Sequence, residues 1–211
     1  MDEQTTLTGF LDVLASAAPV PGGGGASAVA GALAASLGQM VANLTSGKKK
    51  YADVQPRIDQ IIPELEALRA QLLDLVQADA DAFEPLSRAY GLPRATEEER
   101  AHKAEVMEGA LRVACEPPYQ IMETICKVVD LLEELGRIGT RIAISDVGVG
   151  AAFAGAALRG ASLNVFINAK SMADRDYADE LVSRTQALLD EGCAKAEKTF
   201  FEVERGIRWP R

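Results

Sequence analysis

A single histidine, His102, in 211 residues excludes the His-rich zinc signatures and a serine triad with a well-placed imidazole. Aromatic side chains make up only 5% of the chain. A core built on large rings is therefore not expected, and close helix–helix approach through small residues takes its place. The three cysteines, Cys115, Cys126 and Cys193, form no CxxC pair and fall in helical patterns. They read as buried thiols of a reducing compartment, which points to the cytoplasm. Positive charge is in deficit too, and a net charge of −9 argues against a nucleic-acid partner. The start, Met1-Asp2-Glu3, lacks the basic region of a signal peptide. The longest apolar stretch, residues 26–44, is nearly long enough to span a bilayer. Ser27, Ser36, Gln39 and Asn43 interrupt it, so it reads as the buried helix of a soluble protein with no membrane partner.

What the chain does have is small residues in two concentrations. The first is Pro21-Gly22-Gly23-Gly24-Gly25-Ala26-Ser27, which runs into an Ala-rich stretch ending at Asn43-Leu44-Thr45-Ser46-Gly47-Lys48-Lys49-Lys50-Tyr51. A glycine loop feeding a helix N-terminus offers bare N–H groups and the positive end of a dipole, a place for a carbonyl, carboxylate or phosphate. The plain alternative is a tight connection between helices. A dinucleotide fingerprint is rejected. The upstream Leu7, Phe10, Leu11 and Leu14 have helical rather than strand spacing, and the first downstream acid is Asp53. A phosphate loop is rejected because no Gly-Lys-Ser/Thr closes the pattern. The second concentration is Ser145-Asp146-Val147-Gly148-Val149-Gly150, continuing through Gly155 and Gly160 to Asn164-Val165-Phe166-Ile167-Asn168. Each helical glycine costs about 1 kcal/mol relative to alanine. Their repetition predicts close packing against helix 26–46, within a subunit or across a dimer interface.

The remainder predicts helix after helix. Residues 54–90 carry a heptad-like stripe from Val54 to Phe83, with Pro63 kinking it or marking a restart. Gly91-Leu92-Pro93 stops it, and Thr96 with Glu99 forms a capping box for the next helix. Pro117-Pro118 is expected to end that helix and start another. Gly136 is read as a stop, Ile138–Ser145 is ambiguous, and a last helix spans about 173–207. The expected fold class is all-α: a multi-helix bundle with long antiparallel helices and small-residue packing, one domain over residues 1–211.

Three features carry chemistry. Asp79 falls on the apolar stripe of the 54–90 helix, whereas Asp74 and Asp81 read as solvated. An inward carboxylate is costly unless paired or functional, and burial would raise its pKa. Ser145 or Asp146 sits where an N-cap belongs, so Asp146 either caps its helix or acts on a ligand. Lys48-Lys49-Lys50 is a local exception in an acidic chain, either favourable charge at a helix C-terminus or an attractor of carboxylates. Tyr51 beside it could stack on a ring, and His102 reads as exposed.

Five segments in order, Pro21–Ser27, Met40–Thr45, Gly47–Tyr51, Ser145–Val149 and Asn164–Asn168, resemble the methenyltetrahydrofolate cyclohydrolase / formiminotransferase-cyclodeaminase family across essentially the whole chain. One departure is visible: the family pattern has asparagines before the Ser-Asp pair, where this chain has Thr140 and Ile142. The resemblance implies an all-α bundle that forms a homodimer and acts on folate-bound one-carbon units. Its cleft is expected near the subunit boundary. It needs no metal and no cofactor beyond the tetrahydrofolate substrate. Substrate contacts are expected from Pro21, Gly22, Gly23, Gly24, Ser27, Asn43, Lys48, Lys49, Lys50, Tyr51, Ser145 and Asn164, with the lysines receiving a polyglutamylated tail. The chemistry asks for a carboxylate that steadies the cationic methenyl carbon and takes a proton from water; Asp146 and Asp79 are the candidates. Three activities stay open: cyclohydrolase, cyclodeaminase releasing ammonia, and folate binding without turnover. The chain has no room for an appended formiminotransferase domain, which favours the first.

Overall fold

The structure, a computed structural model, describes residues 6–209; the acidic start Met1-Asp2-Glu3 lies outside them. Six α-helices follow one another, α1 (Leu7–Leu14), α2 (Gly23–Thr45), α3 (Gln55–Tyr90), α4 (Glu97–Ile138), α5 (Ile144–Lys170) and α6 (Arg175–Arg208), and no strand occurs among the described residues. The ambiguous 138–145 segment is the end of α4, a short 3-10 turn at Arg141–Ala143 and the first residues of α5.

Small residues set the architecture. Alanine-size contacts bring α2 against three neighbours: an added Cβ at Gly31 would meet Ile125 at 2.8 Å and Leu72 at 3.3 Å, and one at Gly38 would meet both Leu132 and Leu65 at 3.2 Å. The rising numbers on α4 and falling numbers on α3 make α2 parallel to α4 and antiparallel to α3. Along α5 the order also falls. Gly23 lies by Asn164, Ser27 by Gly160 and Ala34 by Gly150, so α2 and α5 are antiparallel. The last helix returns along α5, with Val203 over Gly148 and Ala196 over Gly155. Side chains such as Ile58, Ile61, Leu65 and Leu72 fill the core completely. A second core, with Leu86, Leu111 and Val165, lies beyond the start of α2, where only α3 to α6 continue.

The expected break at Pro117-Pro118 does not occur: α4 runs through both prolines for 42 residues. Pro118 cannot donate to the carbonyl of Ala114, which should weaken the helix there. The side-chain Nδ2 of Asn168 on α5 donates to that carbonyl instead, at 3.1 Å. The ladder is thereby repaired from a neighbouring helix, and both prolines are buried in the packing. Pro63 and Pro85 likewise sit inside α3, but on its exposed side, where water can satisfy the freed carbonyls.

α2 and the segment Arg141–Lys170 are both long and apolar enough to cross a membrane, yet over half of each is buried in the bundle. Each also carries an outward apolar face that is exposed in places and half-buried in others. On α2 this face follows a 3–4 spacing through Ala26, Ala30, Leu33, Leu37, Met40 and Leu44. On α5 it includes Phe153, Leu163 and Ile167, the last two 66% and 61% exposed. Monomeric proteins seldom leave apolar surface of this kind uncovered.

Candidate active site

The site residues read from the sequence gather into two clusters, not one. They lie at opposite ends of α2, which at 1.5 Å per residue is about 34 Å long.

The first cluster surrounds the start of α2. The glycines are not a loop before the helix: Gly22 is its N-cap and Gly23, Gly24 and Gly25 are its first turn. A helix start leaves its first N–H groups without intrahelical partners. Here Gly25 N donates to Asp79 Oδ2 at 3.0 Å, while the N–H groups of Gly22, Gly23 and Gly24 have no acceptor among the described residues. Asp79 therefore caps the helix from α3 across 54 positions of sequence. The fit is close: a Cβ on Gly24 would stand 2.3 Å from Asp79 Oδ1. Only glycine leaves room for the carboxylate.

Asp79 is half-buried and has no cationic partner among the described residues. Burial pushes its carboxyl above the ordinary range, and the Gly25 N–H pulls it back only in part. A carboxylate that is partly desolvated, uncompensated by charge and next to free donors is a candidate for proton transfer. Asn164 lines the same end. Its Nδ2 donates to Gly160 O at 2.9 Å and the amide lies 3.3 Å from where a Gly23 Cβ would be. Its Oδ1 makes no hydrogen bond within the described residues. Pro21 packs on Gly25 and supports the turn.

Ser27 corrects the expectation placed on it. It is buried, and its hydroxyl donates to Gly23 O at 2.7 Å. Its oxygen stands 2.5 Å from an added Gly160 Cβ, so it is packed into the α2–α5 contact rather than open at the helix start.

The second cluster is built where α2 ends. Gly47 follows the helix with φ +74°, the left-handed conformation that glycine adopts freely. The turn delivers Lys48, whose Nζ donates to Thr140 Oγ1 at 3.2 Å; Thr140 N in turn donates to Thr45 Oγ1 at 2.9 Å. Tyr51 accepts from Arg141 N at 3.1 Å, and Lys50 Nζ lies 5.7 Å from its ring centre. The Arg141 N–H, the Thr140 hydroxyl and the two nearby ammonium groups hold the Tyr51 phenol below its ordinary range. Of the three lysines, Lys49 and Lys50 are exposed and Lys48 is tied down. Asn43 is exposed near the same end of α2.

The expected cap at the start of α5 is also corrected. The N-cap is Ala143, and no side chain caps the helix. Ser145 is exposed, and Asp146 lies half-buried in the first helical turn with no hydrogen-bond or ion-pair partner among the described residues. Its position is explained by charge, because a carboxylate in the first turn is favoured by the helix dipole. Asp146 and Asp79 do not meet within the chain. Asn164 stands beside Gly23 at the Asp79 end, and Asp146 is 18 residues away on α5, about 27 Å.

Thr140, Thr45 and Arg141 belong to the second cluster and were not singled out as ligand contacts by their sequence. Thr140, expected to be a departure from the family, is buried under Lys48. Ile142, the other departure, is 87% exposed.

The described residues form an all-helical bundle in which a glycine-fronted helix presents free amides beside an unpaired acid, with a lysine turn at its far end. Its family follows from comparison. The family model described as formiminotransferase-cyclodeaminase matches residues 6–187, and the chain belongs to that family. A methenyltetrahydrofolate cyclohydrolase of Methylorubrum extorquens is 42% identical over 96% of this chain and 97% of its own length. The formimidoyltransferase-cyclodeaminase of Mus musculus is 34% identical over 95% of this chain but only 37% of its own length. A crystal structure of formiminotetrahydrofolate cyclodeaminase from Thermotoga maritima superposes with a TM-score of 0.81 at 31% identity, covering 98% of this chain and 99% of that one.

Proposed function

We propose that the protein hydrolyses 5,10-methenyltetrahydrofolate to 10-formyltetrahydrofolate. The observation that carries this reading is Asp79, a half-buried carboxylate without a cation, set against the free N–H groups of Gly22, Gly23 and Gly24. The methenyl carbon is a cation bridging two nitrogens. Water adds to it: a C–O bond forms, one water proton passes to a carboxylate, and a neutral carbinolamine results. The proton then goes to the leaving nitrogen, that C–N bond opens, and the hydroxyl releases its proton to the carboxylate as the carbon becomes the formyl carbonyl. In this reading Asp79 steadies the cation and accepts the proton, help typically worth about 10²–10⁴ in rate. In the same reading the free amides at the start of α2 receive the oxygen as it gains charge. Asp146 is the second candidate for the same task.

The 42% identity with a relative named as a cyclohydrolase supports hydrolysis over ring closure. Cyclodeamination of 5-formiminotetrahydrofolate, with loss of ammonia, is the second reading, favoured by the 31% identical structure of that name. Both reactions pass through a tetrahedral carbon between the same nitrogens. Purified protein added to each folate separately distinguishes them. Loss of the methenyl chromophore without ammonia release supports hydrolysis; appearance of the chromophore with ammonia from the formimino compound supports the alternative.

The exposed Lys49 and Lys50, with Lys48, are proposed to attract the carboxylates of a polyglutamylated folate tail. Replacing all three by alanine is expected to raise KM for polyglutamylated substrate more than for monoglutamate while kcat stays nearly constant, the pattern of lost uniform binding. The effect should fade with salt, since exposed charges are screened beyond about 10 Å at ordinary ionic strength. Equal changes for both substrates would remove the tail from this role.

The apolar faces of α2 and α5 are proposed to be covered by a second copy of the chain. Sedimentation at micromolar concentration should show a dimer. An active monomer at that dilution would contradict it.

A further inference from the structure

Resting on the reading of the lysine turn given above, we infer that Gln55 is the positioning residue of that turn. By holding Ser46 and Gly47 it sets how tightly the protein takes a folate whose tail carries several carboxylates. Gln55 opens α3 and is half-buried. Its side chain reaches back across eight positions to accept the N–H of Gly47 on Oε1 at 2.8 Å. Its Nε2 donates to the Ser46 hydroxyl at 2.9 Å. One amide thus grips both residues that carry the chain out of α2.

The turn needs such a grip. Gly47 has φ +74°, and glycine populates either sign of φ with little preference, so its own backbone does not aim the lysines. The main-chain bonds across the turn are long. Lys48 N to Thr45 O and Ala52 N to Lys49 O are both 3.4 Å, beyond the usual range of about 2.7–3.2 Å. Lys48 is tied to Thr140, whereas the exposed Lys49 and Lys50 depend on the backbone for their direction.

The amide can face only one way. Asp59, one helical turn on, accepts from Nε2 at 2.6 Å. A carboxylate offers no donor, so Asp59 excludes the flipped amide. Both Nε2 hydrogens are then used, on Asp59 and Ser46, and Oε1 is left for Gly47. The base of the grip is fixed as well. Arg57, in the same turn of α3, donates to both oxygens of Glu134 on α4 at 2.9 Å each, and Ile58 and Ile61 are fully buried. Gln55 therefore carries the position of the bundle core to the lysine turn. It stands at the opposite end of α2 from Asp79, so its loss should spare the chemical step.

Gln55→Ala tests this with methenyltetrahydrofolate in monoglutamate and polyglutamylated forms. KM for the polyglutamylated form should rise about 3–10-fold, the size expected for lost hydrogen bonds of this kind. KM for the monoglutamate, and kcat on both, should stay within about twofold. In the background with Lys48, Lys49 and Lys50 all replaced by alanine, the same change should add nothing, since residues that act through one element are not additive. Rescue comes from an exchange. Gln55→Glu together with Asp59→Asn keeps the net charge, and the new carboxylate can accept from the new amide, from Gly47 N and from the Ser46 hydroxyl. That pair should return KM toward wild type, whereas Gln55→Glu alone sets two carboxylates together and should not. Amide hydrogen exchange at Gly47 reads the grip without substrate. It should quicken about 3–10-fold in Gln55→Ala. It should not change in Gln186→Ala, whose amide makes the same four-residue contact, to Asp190 on α6, at 2.8 Å but holds no turn. Unchanged exchange at Gly47 in Gln55→Ala would overturn the grip. Faster exchange without a KM rise confined to the polyglutamylated substrate, or with a further rise in the lysine-free background, would overturn the role in tail binding. Equal effects of the lysine replacements on both substrates would instead remove the tail reading itself, and this role for Gln55 with it.

Discussion

Gly24→Ala is expected to lower kcat by about 100-fold while leaving the chain folded, a loss of the size that follows when a reacting group is displaced by about 1 Å. The added methyl would stand 2.3 Å and 2.5 Å from the two Asp79 oxygens and 2.6 Å from Cγ. No carbon tolerates such contacts, so something must move. The backbone of α2 is held by close contacts at Gly31 and Gly38 along its length, whereas Asp79 has two rotatable bonds. The carboxylate therefore turns away and loses its bond to Gly25 N. Stability should change little, because alanine inside a helix gains about 1 kcal/mol over glycine and offsets part of the lost cap. Gly109→Ala on α4 is the control. Its added methyl meets nothing within 4 Å, so activity should stay at wild-type level with a gain of about 1 kcal/mol. Wild-type turnover in Gly24→Ala would show that the position of Asp79 is unimportant.

The helices were legible because their signals are local. The Thr96 box appears in the structure with both of its hydrogen bonds, Glu99 N to Thr96 Oγ1 and Thr96 N to Glu99 Oε2. The stripe Ile58, Ile61, Leu65, Leu72 is fully buried. Pro117-Pro118 misled for a non-local reason. A proline pair breaks an isolated helix, and only the Asn168 side chain, 54 positions from Ala114, shows that the freed carbonyl has another donor. Asn168 sits in a segment that resembles the family's pattern, yet its visible task is structural.

The same distinction separates what could be read of the site. That Asp79 turns inward follows from helical periodicity, and it does sit half-buried against another helix. That it caps α2 does not follow, since the pairing of α3 with α2 is tertiary. Ser27 looked available because it follows the glycines. One helical turn rotates its hydroxyl onto Gly23 O and into the α5 contact. Ser145 and Asp146 looked like caps because their residue types suit that position, but the 3-10 turn at Arg141–Ala143 starts α5 earlier and leaves both inside the first turn. Sequence order could never show that the two clusters lie at opposite ends of α2.

Asp79→Asn and Asp146→Asn should both lose turnover, by about 10²-fold or more, yet move stability in opposite directions. Asp79 ionises in a partly desolvated place, so its folded pKa lies above the ordinary value of 3.8. For a group raised on folding, the favourable contribution is full below the unfolded pKa and disappears as pH rises through the folded one. At pH 7 the wild type therefore carries the whole cost of a charged Asp79, and the asparagine variant carries none of it. Its Oδ1 can still accept from Gly25 N. The variant's melting temperature should equal or exceed that of the wild type at neutral pH, with the gap closing as pH falls into the carboxylate range. Asp146 is different: it stands in the first turn of α5, where a negative charge is worth about 0.3–1 kcal/mol, and asparagine gives that up. Asp146→Asn should therefore melt slightly lower at neutral pH, and more so at low salt, where the dipole is least screened. The acid limb of the wild-type rate profile should fall at a pH above the ordinary aspartate value if Asp79 takes the proton from water. An acid limb that persists unchanged in whatever activity Asp79→Asn retains would transfer that task to Asp146. Full activity in both variants would leave the free amides of Gly22 to Gly24, and the positioning of water by them, as the whole of the catalytic apparatus.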